Sequence, residues 1–187
     1  MTTAAQTQIP GYIAGTWDID PVHSEVSFTV RHMMVSKVRG RFTGFSGTIT
    51  TADDVTASGV QVEIDATSID TANAQRDGHV RSADFFDVEN HPTWSFTSTA
   101  VRQDGDDLAV DGELTVKGVT RPVTLAVEVG GFGPDAYGGT RAGFTATTSI
   151  NRSDFGVDIA MPLDGGGVVV SEKVQITLEI QGVLRTS

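Results

Sequence analysis

Residues 173–181 read Lys173-Val174-Gln175-Ile176-Thr177-Leu178-Glu179-Ile180-Gln181, with polar and apolar side chains alternating without a break. A period of two is that of a β-strand, whose successive side chains point to opposite faces. Val174, Ile176, Leu178 and Ile180 are therefore expected on a buried face and their neighbours in water. The same pattern recurs upstream. Val26, Phe28 and Val30 form one such row, and Val60, Val62 and Ile64 another. Trp94 and Phe96 follow, then Leu108, Val110, Leu114 and Val116, then Val123, Leu125, Val127 and Val129, then Phe144, Ala146, Thr148 and Ile150. Between the first two rows, the stretch from Lys37 to Thr50 changes parity: Val38, Gly40 and Phe42 share one set of positions, Phe45, Gly47 and Ile49 the other. A β-bulge near Gly44 would reunite them on one face.

Turn chemistry separates these runs. Gln103–Asp106 and Val119–Pro122 are expected as turns, Pro134–Gly139 as a looser loop and Asp164–Gly167 as a flexible loop before the last strand. One segment, Asp70 to Pro92, has no period of two, and Asn73 is placed to cap a short helix running to about Ala83. About eight antiparallel strands with wet outer faces must bury one continuous inner face, and closing into a barrel does so while removing the sheet edges. The reading is all-β: an eight-stranded antiparallel barrel over residues 16–187 with one short helical segment, behind a flexible N-terminal arm, residues 1–15. The inward rows include Gly40, Gly47, Gly112, Ala146 and Thr148. Small inward residues leave volume, so the expected interior is a cavity, not a solid core.

Composition narrows the function. The 187 residues carry a net charge of -11, which repels phosphate backbones and argues against nucleic-acid binding. There is no cysteine, hence no disulfide, thiol nucleophile or thiolate metal site. No apolar run approaches the roughly 20 residues of a membrane helix. The start, MTTAAQTQIPGYIAG, has neither a basic region nor an apolar core of a secretory signal, so the expected address is cytoplasmic.

The residues in hand resemble the YceI-like, or polyisoprenoid-binding, lipocalin-like family. The resemblance starts at Trp17-Asp18-Ile19-Asp20-Pro21-Val22-His23-Ser24-Glu25-Val26-Ser27-Phe28, with Val30 and His32. It continues through Val38-Arg39-Gly40-Arg41-Phe42, Phe45 and Gly47, then Arg76-Asp77, His79, Arg81-Ser82, Asp84-Phe85-Phe86-Asp87, His91-Pro92 and Phe96. It ends in Gly112–Val123 and Arg152-Ser153-Asp154-Phe155-Gly156. The resemblance implies a lipocalin-like barrel with a long apolar tunnel. Its implied ligand is a long-chain isoprenoid (polyprenyl or quinone-type) or another amphiphilic lipid, and it suggests a homodimer.

The expected function is non-enzymatic: binding and carriage or storage of a long apolar chain, with no cofactor and no metal. The expected lining is Phe28, Val30, Phe42, Val62, Trp94, Phe96, Val110, Gly112, Leu114, Leu125, Phe144, Ala146, Ile176 and Leu178. His32, at the end of its apolar row, and Arg76 and His79, on one face of the short helix, are candidates for a ligand headgroup. Arg76, Asp77, His79 and Arg81 read as a polar lid over the barrel mouth or, equally well, as a structural ion pair, Asp77 and Arg81 sharing a helix face, with Asp84 helping to fix the helix end. The rival reading is an enzyme acting on a lipid with His79 and Asp77, or His32, as an acid–base pair. Arg31, Lys37, Arg39 and Arg41 form a local basic patch suited to transient contact with a membrane surface, although outward strand parity also accounts for them. Gly131–Ala136 only mimics a dinucleotide fingerprint, because Pro134 breaks it, and Asp154-Phe155-Gly156 lacks every other kinase motif.

Overall fold

The computed structural model of the chain describes residues 9–32, 36–83, 85–157 and 171–186. In chain order its strands are β1 (Gly15–Ile19), β2 (Glu25–His32), β3 (Ser36–Phe42), β4 (Phe45–Thr51), β5 (Gly59–Asp65), β6 (Ile69–Asp70), β7 (Thr93–Asp104), β8 (Asp107–Val116), β9 (Val119–Pro134), β10 (Thr140–Asn151) and β11 (Lys173–Leu184). One helix, α1 (Ala74–Arg81), lies between β6 and β7. All pairings are antiparallel, and the ring β1-β4-β5-β7-β8-β9-β10-β11 closes through a β1–β11 pairing. The fold is thus a closed eight-stranded barrel, as the alternation predicts.

Two of the eight positions are split strands. The stretch expected to bulge near Gly44 breaks into β3 and β4, and the Gly44 carbonyl accepts from the N–H of Asp65 at the end of β5 (2.8 Å). Likewise β11 pairs with β1 through residues 182–184 and with β2 through residues 175–179. At the handover Asp20 N–H donates to the Gln181 carbonyl (2.8 Å), and Gln181 N–H donates to Ser24 Oγ (2.9 Å). Arg141 locks the corner: Nη1 donates to Asp20 (2.7 Å) and Nε to Asp135 (3.0 Å), while His23 Nδ1 lies 2.7 Å from Asp20. The Arg141 guanidinium, and then His23, hold the Asp20 carboxyl far below the usual carboxylate range. The Asp20–Ser24 part of the resemblance is therefore a clasp on the split strand.

Two local readings are corrected. The expected turn at Val119–Pro122 lies inside β9, where Pro122 stands opposite Glu113. The turn is the preceding pair, Lys117-Gly118, with φ of 53° and 76°; positive φ at both centres makes a two-residue hairpin whose twist matches its strands. Parity also flips twice beyond the rows read from the sequence. Irregular pairing between Ser98 and Ala100 turns Val101 inward, and another between Gly143 and Phe144, opposite Gly130, turns Phe132 inward. The expected arm is partly docked: Tyr12 packs edge-on to Phe132 (5.4 Å), and Thr51 Oγ1 donates to the Ile13 carbonyl (2.7 Å). The Asp164–Gly167 loop lies outside the described residues.

Candidate functional site

Strand directions define the two ends of the barrel. The last residues of β2, β5, β8 and β10 and the first of β3, β7, β9 and β11 meet at one rim, where α1 sits. The other rim holds residues 9–14, the 3-10 turn Val55–Ala57 and the β9–β10 loop.

Between the rims runs a cavity of about 720 Å³. That is within the range of small-molecule and cofactor sites. Of the expected lining, Phe28, Val30, Phe42, Val62, Trp94, Phe96, Val110, Leu114, Leu125, Phe144, Ala146, Ile176 and Leu178 border it. Two aromatic groups mark its ends. Near α1, Phe42 lies 4.8 Å from Trp94 and 5.8 Å from Phe28, and Phe86 lies 4.7 Å from Trp94. Far from α1, Phe132 meets Tyr12, Trp17 and Phe144 at 5.4, 5.5 and 6.1 Å.

Gly112 does not leave the space expected of it. A Cβ there would lie 2.4 Å from Phe96 Cζ, and one at Gly40 would lie 2.4 Å from Phe28 Cζ. These glycines are seats for aromatic rings folded across the neighbouring strand, and the cavity lies beyond the rings.

No acidic side chain borders the cavity among the described residues, whereas Arg76, His79 and Arg152 do. All three belong to the α1 rim. The helix is firmly seated. Asn73 caps it through Oδ1 and the Arg76 N–H (3.0 Å). Buried Asp77 accepts from the Thr71 N–H (2.9 Å) and hydroxyl (2.5 Å). Arg76 donates from Nε to Thr71 Oγ1 (2.8 Å) and from Nη2 to the Thr71 carbonyl (2.7 Å). Arg81 does not reach for Asp77 as an ion pair; its guanidinium donates to the carbonyls of Thr67 (2.9 Å) and Ile69 (3.1 Å). Asp77 thus anchors the helix to the strand before it, and His79 rests edge-on against Phe85 (4.8 Å). His32 ends β2 at the same rim, opposite Ser36; its side chain and Asp84 lie outside the described residues.

Several lining residues escape a period-two reading. Val101 and Phe132 enter after the parity flips, Ile9 and Tyr12 come from the expected arm, and Val80, Phe85 and Phe86 from the irregular segment. The Gly130-Gly131 pair is the sequence signal that precedes Phe132. Arg152 is visible only through the resemblance. Buried at the rim, it donates to the carbonyls of Ser171 (3.1 Å) and Val157 (2.9 Å), joining the two chain ends that flank residues 158–170.

Comparison with known proteins agrees with this architecture. The model of the YceI-like domain matches residues 17–182. Protein YceI of Escherichia coli O17:K52:H18 (strain UMN026 / ExPEC) is 40% identical over 174 residues, covering 91% of this chain and 88% of that one. The crystal structure of Burkholderia cenocepacia BcnA superposes with a TM-score of 0.76 at 27% identity, over 87% of this chain and 98% of that one. A polyisoprenoid binding domain from Saccharophagus degradans shares the fold, with a TM-score of 0.66 at 18% identity, over 92% of this chain and 100% of that one. From its closed barrel to residues 17–182 of its sequence, the chain belongs to the YceI-like family.

Proposed function

We propose that this protein binds and carries or stores a long-chain isoprenoid lipid without chemically changing it. The observation that carries the reading is the cavity: about 720 Å³ running through the barrel, bordered mostly by apolar side chains, with Arg76, His79 and Arg152, its basic lining among the described residues, at the α1 rim. That polarity suits a chain with one polar head. Burying roughly fifteen to twenty carbons at ~0.8 kcal/mol each gives a gross gain of about 12–16 kcal/mol. Ordering the chain and losing its free motion take back several kcal/mol, which puts the affinity between micromolar and nanomolar. Family membership points the same way, and the Saccharophagus domain described as polyisoprenoid-binding has this fold. In this reading the head lies against Arg76 and His79. Asp77, whose Oδ1 accepts from the Thr71 N–H and hydroxyl, holds the helix in place.

Mass spectrometry of an organic extract of the purified protein tests the proposal. The expected result is one long-chain isoprenoid in near-stoichiometric amount, recovered intact after prolonged incubation. An empty extract, together with no uptake of added geranylgeraniol by the delipidated protein, would refute it.

A further inference from the structure

The chain carries 24 acidic residues against 13 lysines and arginines, yet residues 26–52 contain no acid and four bases, Arg31, Lys37, Arg39 and Arg41. The β2–β3 register sets Arg31 opposite Lys37, and Thr29 opposite Arg39. All four cations are exposed and share the outer face of the hairpin. The alternate residues Phe28, Val30, Val38 and Phe42 border the cavity. Exposed Lys173, at the start of the adjoining β11, extends the same rim.

Pairing sets these cations apart. Arg102 is bonded to Asp111, Arg141 to Asp20 and Asp135, and Arg185 to Asp18. Arg41 reaches Asp70 at 3.4 Å. Arg76, Arg81, Lys117 and Arg121 donate to carbonyl or hydroxyl oxygens, whereas among the described residues the side chains of Arg31, Lys37, Arg39 and Lys173 have neither an acidic nor any other hydrogen-bond partner. Charged side chains do protect open strand edges. The open edge here is that of β3, whose pairing with β6 covers only Arg41 and Phe42. Arg31 on β2 and Lys173 on β11 belong to strands paired on both sides, so edge protection leaves them unexplained.

We infer that the outer face of the β2–β3 hairpin is a docking surface for an anionic phospholipid bilayer. The inference rests on the carriage reading, since it places the membrane at the rim through which a chain enters and leaves. The rest of the molecule strengthens the orientation. A body of net charge -11 is repelled by an anionic surface unless its cationic hairpin leads, so repulsion and attraction together turn the same rim toward the lipid. A basic residue held at such a surface strengthens binding about fivefold, so removing three weakens it by on the order of a hundredfold. The attraction decays over a Debye length and is lost in high salt.

The test is vesicle flotation of the full-length protein, with phosphatidylcholine vesicles that contain or lack phosphatidylglycerol. The wild type is expected to float with the anionic vesicles at low salt, but neither with the neutral ones nor at high salt. The triple variant Arg31→Gln/Lys37→Gln/Arg39→Gln is expected to bind on the order of a hundredfold more weakly, with an unchanged circular dichroism spectrum. The double variant Arg102→Gln/Arg185→Gln, which also removes positive charge, is expected to float like the wild type. Failure of the wild type to float, or equal flotation of the triple variant, would overturn the inference. So would hairpin-dependent binding to a duplex oligonucleotide in place of vesicles. Extracted lipid is measured in the same samples. A loaded cavity without flotation removes docking alone; hairpin-dependent flotation with an empty cavity supports docking and removes carriage.

Discussion

Ala146 borders the middle of the tunnel, between Val127 on β9 and Leu178 on β11. Ala146→Phe would place a ring where the chain is proposed to run. Displacing four to five ligand carbons at ~0.8 kcal/mol each costs about 3–4 kcal/mol of binding, or roughly 200- to 700-fold in affinity. The same ring is added to apolar surroundings with open volume beside them. The delipidated variant is therefore expected to keep its denaturant midpoint or raise it slightly. In a solidly packed interior the substitution would instead be overpacking and would cost ~1–3 kcal/mol of stability. The assay is paired: calorimetric titration of delipidated wild type and variant with geranylgeraniol, and urea unfolding of both. Undiminished affinity in a folded variant would refute the path past Ala146. A drop in stability as large as the overpacking range would refute the open volume itself.

Gly112 should respond in the opposite way. Gly112→Ala drives a methyl to 2.4 Å from the Phe96 ring and is expected to lower stability by ~1–3 kcal/mol in urea unfolding. Thr51→Val removes the acceptor of the buried Trp17 indole N–H (2.8 Å) and the donor to Ile13, so it should cost about 1–3 kcal/mol on the same assay. The Asp20 carboxyl is held below its ordinary pKa, so near that ordinary value the unfolded chain binds the extra proton. Its contribution is therefore complete above about pH 4 and is lost as the pH falls further. Arg141→Gln should lower stability at neutral pH, and its curve should converge on the wild type in acid; parallel curves from pH 7 to pH 2 would show that the Arg141–Asp20 pair does not set the acid limb.

The barrel was legible because eight alternating rows leave few other ways to bury one face. Most of the tunnel lining came with it, since inward parity on a long strand almost determines contact with the interior. Parity does not reveal how a ring folds on its own strand. Gly112 and Gly40 look the same in sequence whether they open a void or accept a neighbour's ring, and here Phe96 and Phe28 lie over them. Nor does parity survive a bulge: one extra residue near Gly130 moved Phe132 from the outside to the floor of the tunnel. Turn chemistry misled at Val119–Pro122, because proline marks turns and also strand positions without a donor, and Lys117-Gly118 carried the positive φ. At the rim, Arg76 and His79 could be grouped by helical spacing. The Asp77–Thr71 and Arg81–Ile69 bonds could not, because they join the helix to the chain before it in ways that spacing along the helix does not encode.

The two tryptophans also make the molecule an optical gauge. Trp17 is fully buried, with its N–H bonded to Thr51, and does not border the cavity. Trp94 borders it, and its buried indole N–H has no hydrogen-bond partner among the described residues. An indole's emission follows the polarity and mobility of its surroundings. Trp17 should therefore emit the same light whether the tunnel is full or empty, while Trp94 shifts with its contents. Chain entry and departure can then be timed in the unlabelled wild type, one fluorophore serving as reference and the other as signal.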